Sequence, residues 1–269
     1  MFAKLLKYEW KASAPLLGTL GLAALGIGLL GGLLLRLSDI DYQSEVVESL
    51  LSAATGMTLG FLCLALVAYV FATTLLLLHR FYQNKFTDQG YLTFTLPVNS
   101  HQIFLSSLLN LLLWQLISIV FTALSVLLLV LVGDLLPDSQ TAYAQVQKVF
   151  LEMMENTVGK QGILLWLSQI ILSWLFSGVI TLTCIVLGAS WAKKHKLMTA
   201  FLIYYGISFI LQFITGILTA VVALASMQSE NITLLMQNTT LCTAAVQLVL
   251  MICGYFLSTH MMSRGLNLS

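Results

Sequence analysis

The chain has 269 residues, of which 59% are hydrophobic and 9% charged, with 12 Lys and Arg against 11 Asp and Glu. A soluble domain carries about 25% charged residues, and a mean hydropathy of +0.94 needs more apolar surface than one water-soluble core can hide, so the surrounding medium is lipid. The same composition excludes a disordered chain, a collagen and a disulfide scaffold, and the net charge of +1 matters only through the side of the bilayer on which each charge falls.

The first element is amphipathic. Phe2, Leu5, Leu6 and Trp10 recur at helical spacing, while Lys4, Lys7 and Lys11 fall on the opposite stripe. This pattern predicts an interfacial helix over 1–14, with its apolar face in the acyl boundary, Trp10 at headgroup level and the lysines on anionic lipid. A simple positive anchor fixing topology fits the same residues. Pro15 predicts a bend where the chain turns into the bilayer. The apolar run that follows is too long for a signal peptide and ends on no clean cleavage site, so the start reads as retained.

Taking about 20 apolar residues per helical crossing, six spans follow at about 15–35, 52–78, 103–132, 162–191, 197–225 and 239–261. A spanning segment must satisfy its own backbone, and no alternating strand pattern is present. The predicted fold is therefore an all-α membrane protein: one transmembrane domain over 1–269, with six helices after the interfacial one. The excess length of the second, third and fifth spans suggests tilt or projecting ends. Span one is glycine-rich, and its Gly28-x-x-x-Gly32 spacing allows close helix approach without specifying a partner.

Six crossings put both termini on one side. That side collects Lys4, Lys7, Lys11, Arg80, Lys85, Lys193, Lys194, Lys196 and Arg264, nine of the 12 basic residues, with only Glu9 and Asp88 as acids. The other side holds Arg36, Lys148 and Lys160 with nine acids. By the positive-inside rule the termini and the segments 79–102 and 192–196 are cytoplasmic.

No span has an Asp, Glu, Lys, Arg or His near its centre, where proton relays and ion-coupled carriers usually place one. The polarity there comes from Ser, Thr and one glutamine in each of the last four spans: Gln115, Gln169, Gln212 and Gln247. These are candidates for lining a substrate path, or for hydrogen bonds between packed helices. Cys63, Cys184, Cys242 and Cys253 lie singly in apolar runs, as small hydrophobes do.

The cytoplasmic segment 79–100 is too aromatic for a solvated connector. Gly90 offers a helix break after Asp88 and Gln89, the run Tyr91, Leu92, Phe94 and Leu96 supplies apolar anchors, and Pro97 stops the segment. Asn99 or Ser100 can then cap the third span. Such a segment should dock, either on a soluble partner or on its own bundle.

Two stretches carry a resemblance: Lys4-Leu5-Leu6-Lys7-Tyr8-Glu9-Trp10-Lys11-Ala12, and Arg80-Phe81-Tyr82 through Gly90-Tyr91-Leu92-Thr93-Phe94-Thr95-Leu96-Pro97-Val98. They resemble the permease subunits of ABC type-2 exporters, particularly small bacterial ones, in which the loop after span two contains a coupling helix that docks into a separate ATP-binding subunit. The resemblance implies that Asp88, Gln89, Gly90, Tyr91, Leu92, Phe94, Leu96 and Pro97 form the ATPase-docking surface. It also implies a second permease subunit, identical or related, with ATP and Mg held by the partner subunit and a place in the bacterial plasma membrane. One departure is Gln89, where the family often has a second acid before the glycine.

The remaining soluble segments are less specific. Lys193, Lys194, His195 and Lys196 read as a topology determinant and lipid anchor. In 133–161, Tyr143, Val146, Phe150 and Met153 recur at helical spacing, which predicts a surface helix that gates or caps the outer mouth. No P-loop is present: the only Gly-Lys, Gly159-Lys160, is followed by Gln161 and lacks the earlier glycine. The four histidines occur singly, so no metal site is expected, and no protease or hydrolase motif occurs. The expectation is a non-enzymatic permease with no cofactor bound directly and no nucleic-acid partner; a secondary carrier and a membrane scaffold or assembly factor are the rivals.

Overall fold

The computed structural model describes residues 2–38, 45–87, 99–133, 160–191, 196–226 and 232–263, together with Lys148. These residues form six helices: α1 (Phe2–Ser38), α2 (Glu45–Phe86), α3 (Ser100–Gly133), α4 (Lys160–Trp191), α5 (Lys196–Ser226) and α6 (Ile232–Ser263). Among the described residues there are no strands, and all six helices are long and apolar enough to cross a membrane. The residues Asp88–Val98, the segment 134–159 apart from Lys148, and Lys193, Lys194 and His195 lie outside the described residues.

Helix ends differ from the sequence reading at several places: α2 and α6 each begin seven residues before the predicted spans, at Glu45 and Ile232, and two further differences bear on the candidate site. Residues 2–14 are not a separate helix: they run without interruption through Pro15 into α1. Proline removes one N–H, which frees the Lys11 carbonyl, and Lys11 and Pro15 are both exposed residues. One turn away, the Ser13 hydroxyl donates to the carbonyls of Glu9 at 2.7 Å and Trp10 at 3.2 Å. Secondly, residues 79–86, assigned by sequence to the loop, extend α2 by two further turns. Hydropathy falls at His79 and Arg80, but helical hydrogen bonding does not depend on hydropathy, and nothing in 79–86 is a helix breaker.

The chain divides into two compact units. One comprises residues 6–77 and 110–149. Its core gathers Ala24 of α1 with Leu66 and Tyr69 of α2, and Leu20 and Ile27 of α1, Val70 of α2 and Phe121 of α3 pack around them, partly buried. Glycines on α1 let α3 approach. A Cβ at Gly21 would meet the Phe121 ring at 2.8 Å, one at Gly32 would meet Val132 at 2.6 Å, and one at Gly28 would run into the Ser125 carbonyl oxygen. Ser125 also donates its hydroxyl to the Ala24 carbonyl of α1. Because Ser13 meets Asn110, Gly21 meets Phe121 and Gly32 meets Val132, the two helices run parallel. The Gly28-x-x-x-Gly32 spacing thus serves a close helix crossing, and α3 occupies it.

The other unit comprises residues 1–5, 78–109 and 150–269. In it α4 packs against both α5 and α6, and α5 also touches α6. α5 approaches α4 so closely that a Cβ at Gly188 would fall 2.6 Å from the Ala200 amide nitrogen, and Thr199 donates to the Gly188 carbonyl at 3.3 Å. α4 and α6 run parallel, since Gln169 pairs with Gln247, Thr183 with Ser258, and Ser190 with Met261.

Candidate functional site

Three groups of side chains stand out from the apolar background. The first is the pair of helix ends on either side of Asp88–Val98. On α2, Phe81 and Phe86 are buried edge to face at 5.7 Å, Tyr82 stacks on Phe86 at 6.2 Å, and Lys85, only 2% exposed, places its ammonium 6.0 Å from the Phe81 ring. A buried ammonium over an aromatic face keeps part of its charge solvation through the ring quadrupole. On the other side, the Asn99 carbonyl accepts from the amides of Gln102 at 2.8 Å and Ile103 at 3.2 Å, which makes Asn99 the cap of α3. One turn on, His101 Nδ1 lies 3.1 Å from the Tyr255 hydroxyl, and the fully buried Phe104 meets the Tyr255 ring edge to face. The end of α3 next to the segment is therefore fastened to α6. His101 and Tyr255 were not singled out by sequence, where nothing links residues so far apart.

The second group lies between α4 and α6. Gln169 Nε2 donates to Gln247 Oε1 at 3.0 Å, Ser173 donates to the same oxygen at 3.3 Å, and Gln247 Nε2 donates to Ser173 at 3.2 Å. Gln169 Oε1 is buried without a protein donor. Towards the far end of the same seam, the Ser258 hydroxyl donates to Thr183 at 3.0 Å, and Thr183 reaches the Gly254 carbonyl at 3.3 Å. Of the four glutamines considered for a substrate path, the structure brings together Gln169 and Gln247. Gln212 faces outward from α5, and Gln115 belongs to the other unit. The seam offers neutral donors and acceptors, suited to hydrogen bonding and not to proton transfer.

The third group is in the first unit, near the start of α1. Trp10 stacks on Trp114 of α3 with ring centroids 4.8 Å apart, and Asn110 Nδ2 points to Ser13 Oγ at 3.5 Å. Among the described residues Asn110 Oδ1 and Trp114 Nε1 are buried with no hydrogen-bond partner. Lys4, Lys7 and Lys11 are exposed while Phe2, Leu5, Leu6 and Trp10 are half-buried, which is the amphipathic division expected from their spacing. Trp10 is thus held by a second tryptophan rather than standing alone on its stripe. The signal for this pair was present in the sequence only as two tryptophans on helices of unknown order.

Asp88, Gln89, Gly90, Tyr91, Leu92, Phe94, Leu96 and Pro97 lie outside the described residues. Among the described residues no three His, Cys, Asp or Glu side chains come together as a metal site would require. No family model, no curated protein and no solved structure matches the chain.

Proposed function

We propose that the chain is the membrane-spanning permease subunit of an ATP-driven exporter in a bacterial plasma membrane, working with a second permease subunit and with cytoplasmic ATP-binding subunits. The observation that carries this reading is the aromatic segment with Asp88-x-Gly90-Tyr91-Leu92 and Leu96-Pro97, placed between the second and third of six apolar helices. Those helices have no ionisable group at mid-span, so an ion gradient has no residue to act on, and a source of energy outside the bilayer fits better. The helix ends beside the segment support the reading. Phe81, Lys85 and Phe86 on one side, and Phe104 and His101 against Tyr255 on the other, give a load applied there a firm path into the unit that holds α4, α5 and α6.

ATP-driven movement of the partner would then shift the permease between two packings of the same helices, a bistable change that needs no covalent chemistry in this chain. At about 1.5 Å per residue, the 37 residues of α1 reach about 55 Å, well beyond a hydrocarbon core of about 30 Å. The excess suits residues 2–14, with Lys4, Lys7 and Lys11, lying at the cytoplasmic interface. The charge distribution places both termini on that side.

The test is a Tyr91→Asp and Leu92→Asp double variant of the full chain, expressed in its native host and compared with the unaltered chain for co-purification of a Walker-type ATPase. It should insert into the membrane normally and lose co-purification of the ATPase. Unchanged co-purification together with unchanged cargo movement rejects the docking surface, and cargo movement that follows an ion gradient after ATP depletion puts a secondary carrier in its place.

A further inference from the structure

Farther along α3, hydroxyls find their partners inside the chain. Ser125 donates to the Ala24 carbonyl of α1, while Ser118 and Thr122 donate to the carbonyls of Gln115 and Ser118 on their own helix. One and two turns nearer the start of α3, Trp114 Nε1 and Asn110 Oδ1 have no hydrogen-bond partner among the described residues. Asn110 is 8% exposed and Trp114 6%, beside Ser13 at 1%. Polar groups buried this deeply in folded proteins are hydrogen-bonded, so each atom needs a partner from outside the chain. Trp10, Ser13, Asn110 and Trp114 all belong to one compact unit, and the contacts between them join α1 to α3 within it.

The neighbouring bonds fix what each bare atom offers. Ser13 commits its proton to the carbonyls of Glu9 and Trp10, so its oxygen can only accept, and the Asn110 group 3.5 Å from it is the amide nitrogen. That leaves the Asn110 oxygen as an acceptor. The Trp114 indole can only donate, and its N–H lies in the ring plane. Trp10, stacked on the ring face with centroids 4.8 Å apart, cannot receive it. Residues four apart on a helix share a face, with Cβ atoms about 5–6 Å apart. One oxygen, bonded at about 2.9 Å to each partner, spans such a gap. That oxygen must accept from the indole and donate to the amide. An anion would face the amide oxygen, a cation would face the indole N–H, and a carbonyl has no proton to give. A hydroxyl does both.

We propose that Asn110 and Trp114 form a buried site for a hydroxyl group between α1 and α3, its oxygen accepting from Trp114 Nε1 and donating to Asn110 Oδ1. The hydroxyl comes from water or from a hydroxylated lipid headgroup such as phosphatidylglycerol. Either source completes the hydrogen bonding of the seam and ties the start of α1 to α3. The site depends on neither the ATP-driven reading nor the orientation of the chain, because every contact it uses lies within one unit.

The experiment is magnetic resonance of the full chain, isotope-labelled at nitrogen, in vesicles of phosphatidylcholine alone, whose headgroup has no hydroxyl, and in vesicles containing phosphatidylglycerol. Trp114→Phe identifies the Trp114 indole signal among the five tryptophans. In the unaltered chain that indole proton should show a hydrogen-bonded shift and a cross-peak to the bound hydroxyl. A cross-peak to water in phosphatidylcholine assigns the site to water, and a lipid cross-peak that requires phosphatidylglycerol assigns it to the headgroup. Asn110→Leu should move the indole signal upfield and abolish the cross-peak, and Trp114→Phe should reciprocally shift the Asn110 side-chain amide. The two variants are read separately, so either one that folds decides whether the two groups share an oxygen; no shift in the partner's signal overturns the proposal. An indole free of hydrogen bonding in both vesicles also overturns it, before any variant is made. So does a hydrogen-bonded indole with no cross-peak to water or lipid, which would mean a direct bond to Asn110.

Discussion

Gly26 and Gly28 sit two residues apart on α1, and the structure gives them opposite tolerance for a methyl group. In a helix interior, alanine is ordinarily favoured over glycine by about 1 kcal/mol. An added Cβ at Gly26 meets nothing within 4 Å, so Gly26→Ala should keep that gain or be neutral. At Gly28 the same atom would run into the Ser125 carbonyl and lie 2.6 Å from its hydroxyl oxygen. The obstacle there is backbone, which yields only if α3 moves, so Gly28→Ala should destabilise by about 1–3 kcal/mol, as overpacking does. Thermal unfolding in micelles checks the sign at both sites; a Gly26→Ala loss equal to that of Gly28→Ala would mean α3 is not seated in the groove. The glycines of span one look alike in the sequence. Close approach was legible from the Gly28 and Gly32 spacing, but the identity of α3 as the approaching helix was not, because spacing on one helix carries no information about its neighbour.

Between α4 and α6 the unit of stability is the seam rather than any single residue. Gln169 donates to both Gln247 and Ser173, while Gln247 accepts from both and donates back to Ser173. Gln169→Leu and Gln247→Leu should each cost about 1 kcal/mol, and the double variant should cost less than their sum, since either single change strands the other amide. A double-mutant cycle of unfolding free energies measures the difference; strictly additive costs would show that the two amides do not depend on each other. At this scale the sequence was informative about what was apolar. The six spans were legible because about 20 consecutive apolar residues have few other uses. The last two turns of α2, from His79 to Phe86, were not, because polarity at a membrane boundary hides a helix that continues. Pro15 marks no helix end: a residue known for breaking helices lies inside one. The site was less legible than the fold. Gln169 and Gln247 could be picked out as the polar members of their spans, whereas His101 and Tyr255 meet only once α3 and α6 are folded.

For the molecule as a whole, the orientation proposed above rests on no single contact but on the distribution of charge along the chain. Nine of the 12 basic residues fall in the segments on one side of six crossings, and nine of the 11 acids fall on the other. Basic flanks are retained in the cytoplasm far more strongly than acids are excluded from it, so the asymmetry of Lys and Arg predicts cytoplasmic termini. Moving two or three of them would not reverse it, since the termini, Arg80 with Lys85, and Lys193 with Lys194 and Lys196 all agree. Single cysteines, in a chain with Cys63, Cys242 and Cys253 changed to serine and the buried Cys184 kept, report the outcome. Asp41→Cys and Thr157→Cys should react with a membrane-impermeant maleimide in intact cells, while Thr87→Cys and His195→Cys should react only after permeabilisation. The reverse pattern would contradict the charge argument. It would also put Tyr91 and Leu92 outside the cell, beyond the reach of any cytosolic ATPase, and so remove the ATP-driven reading while leaving the helix pairings within each unit untouched.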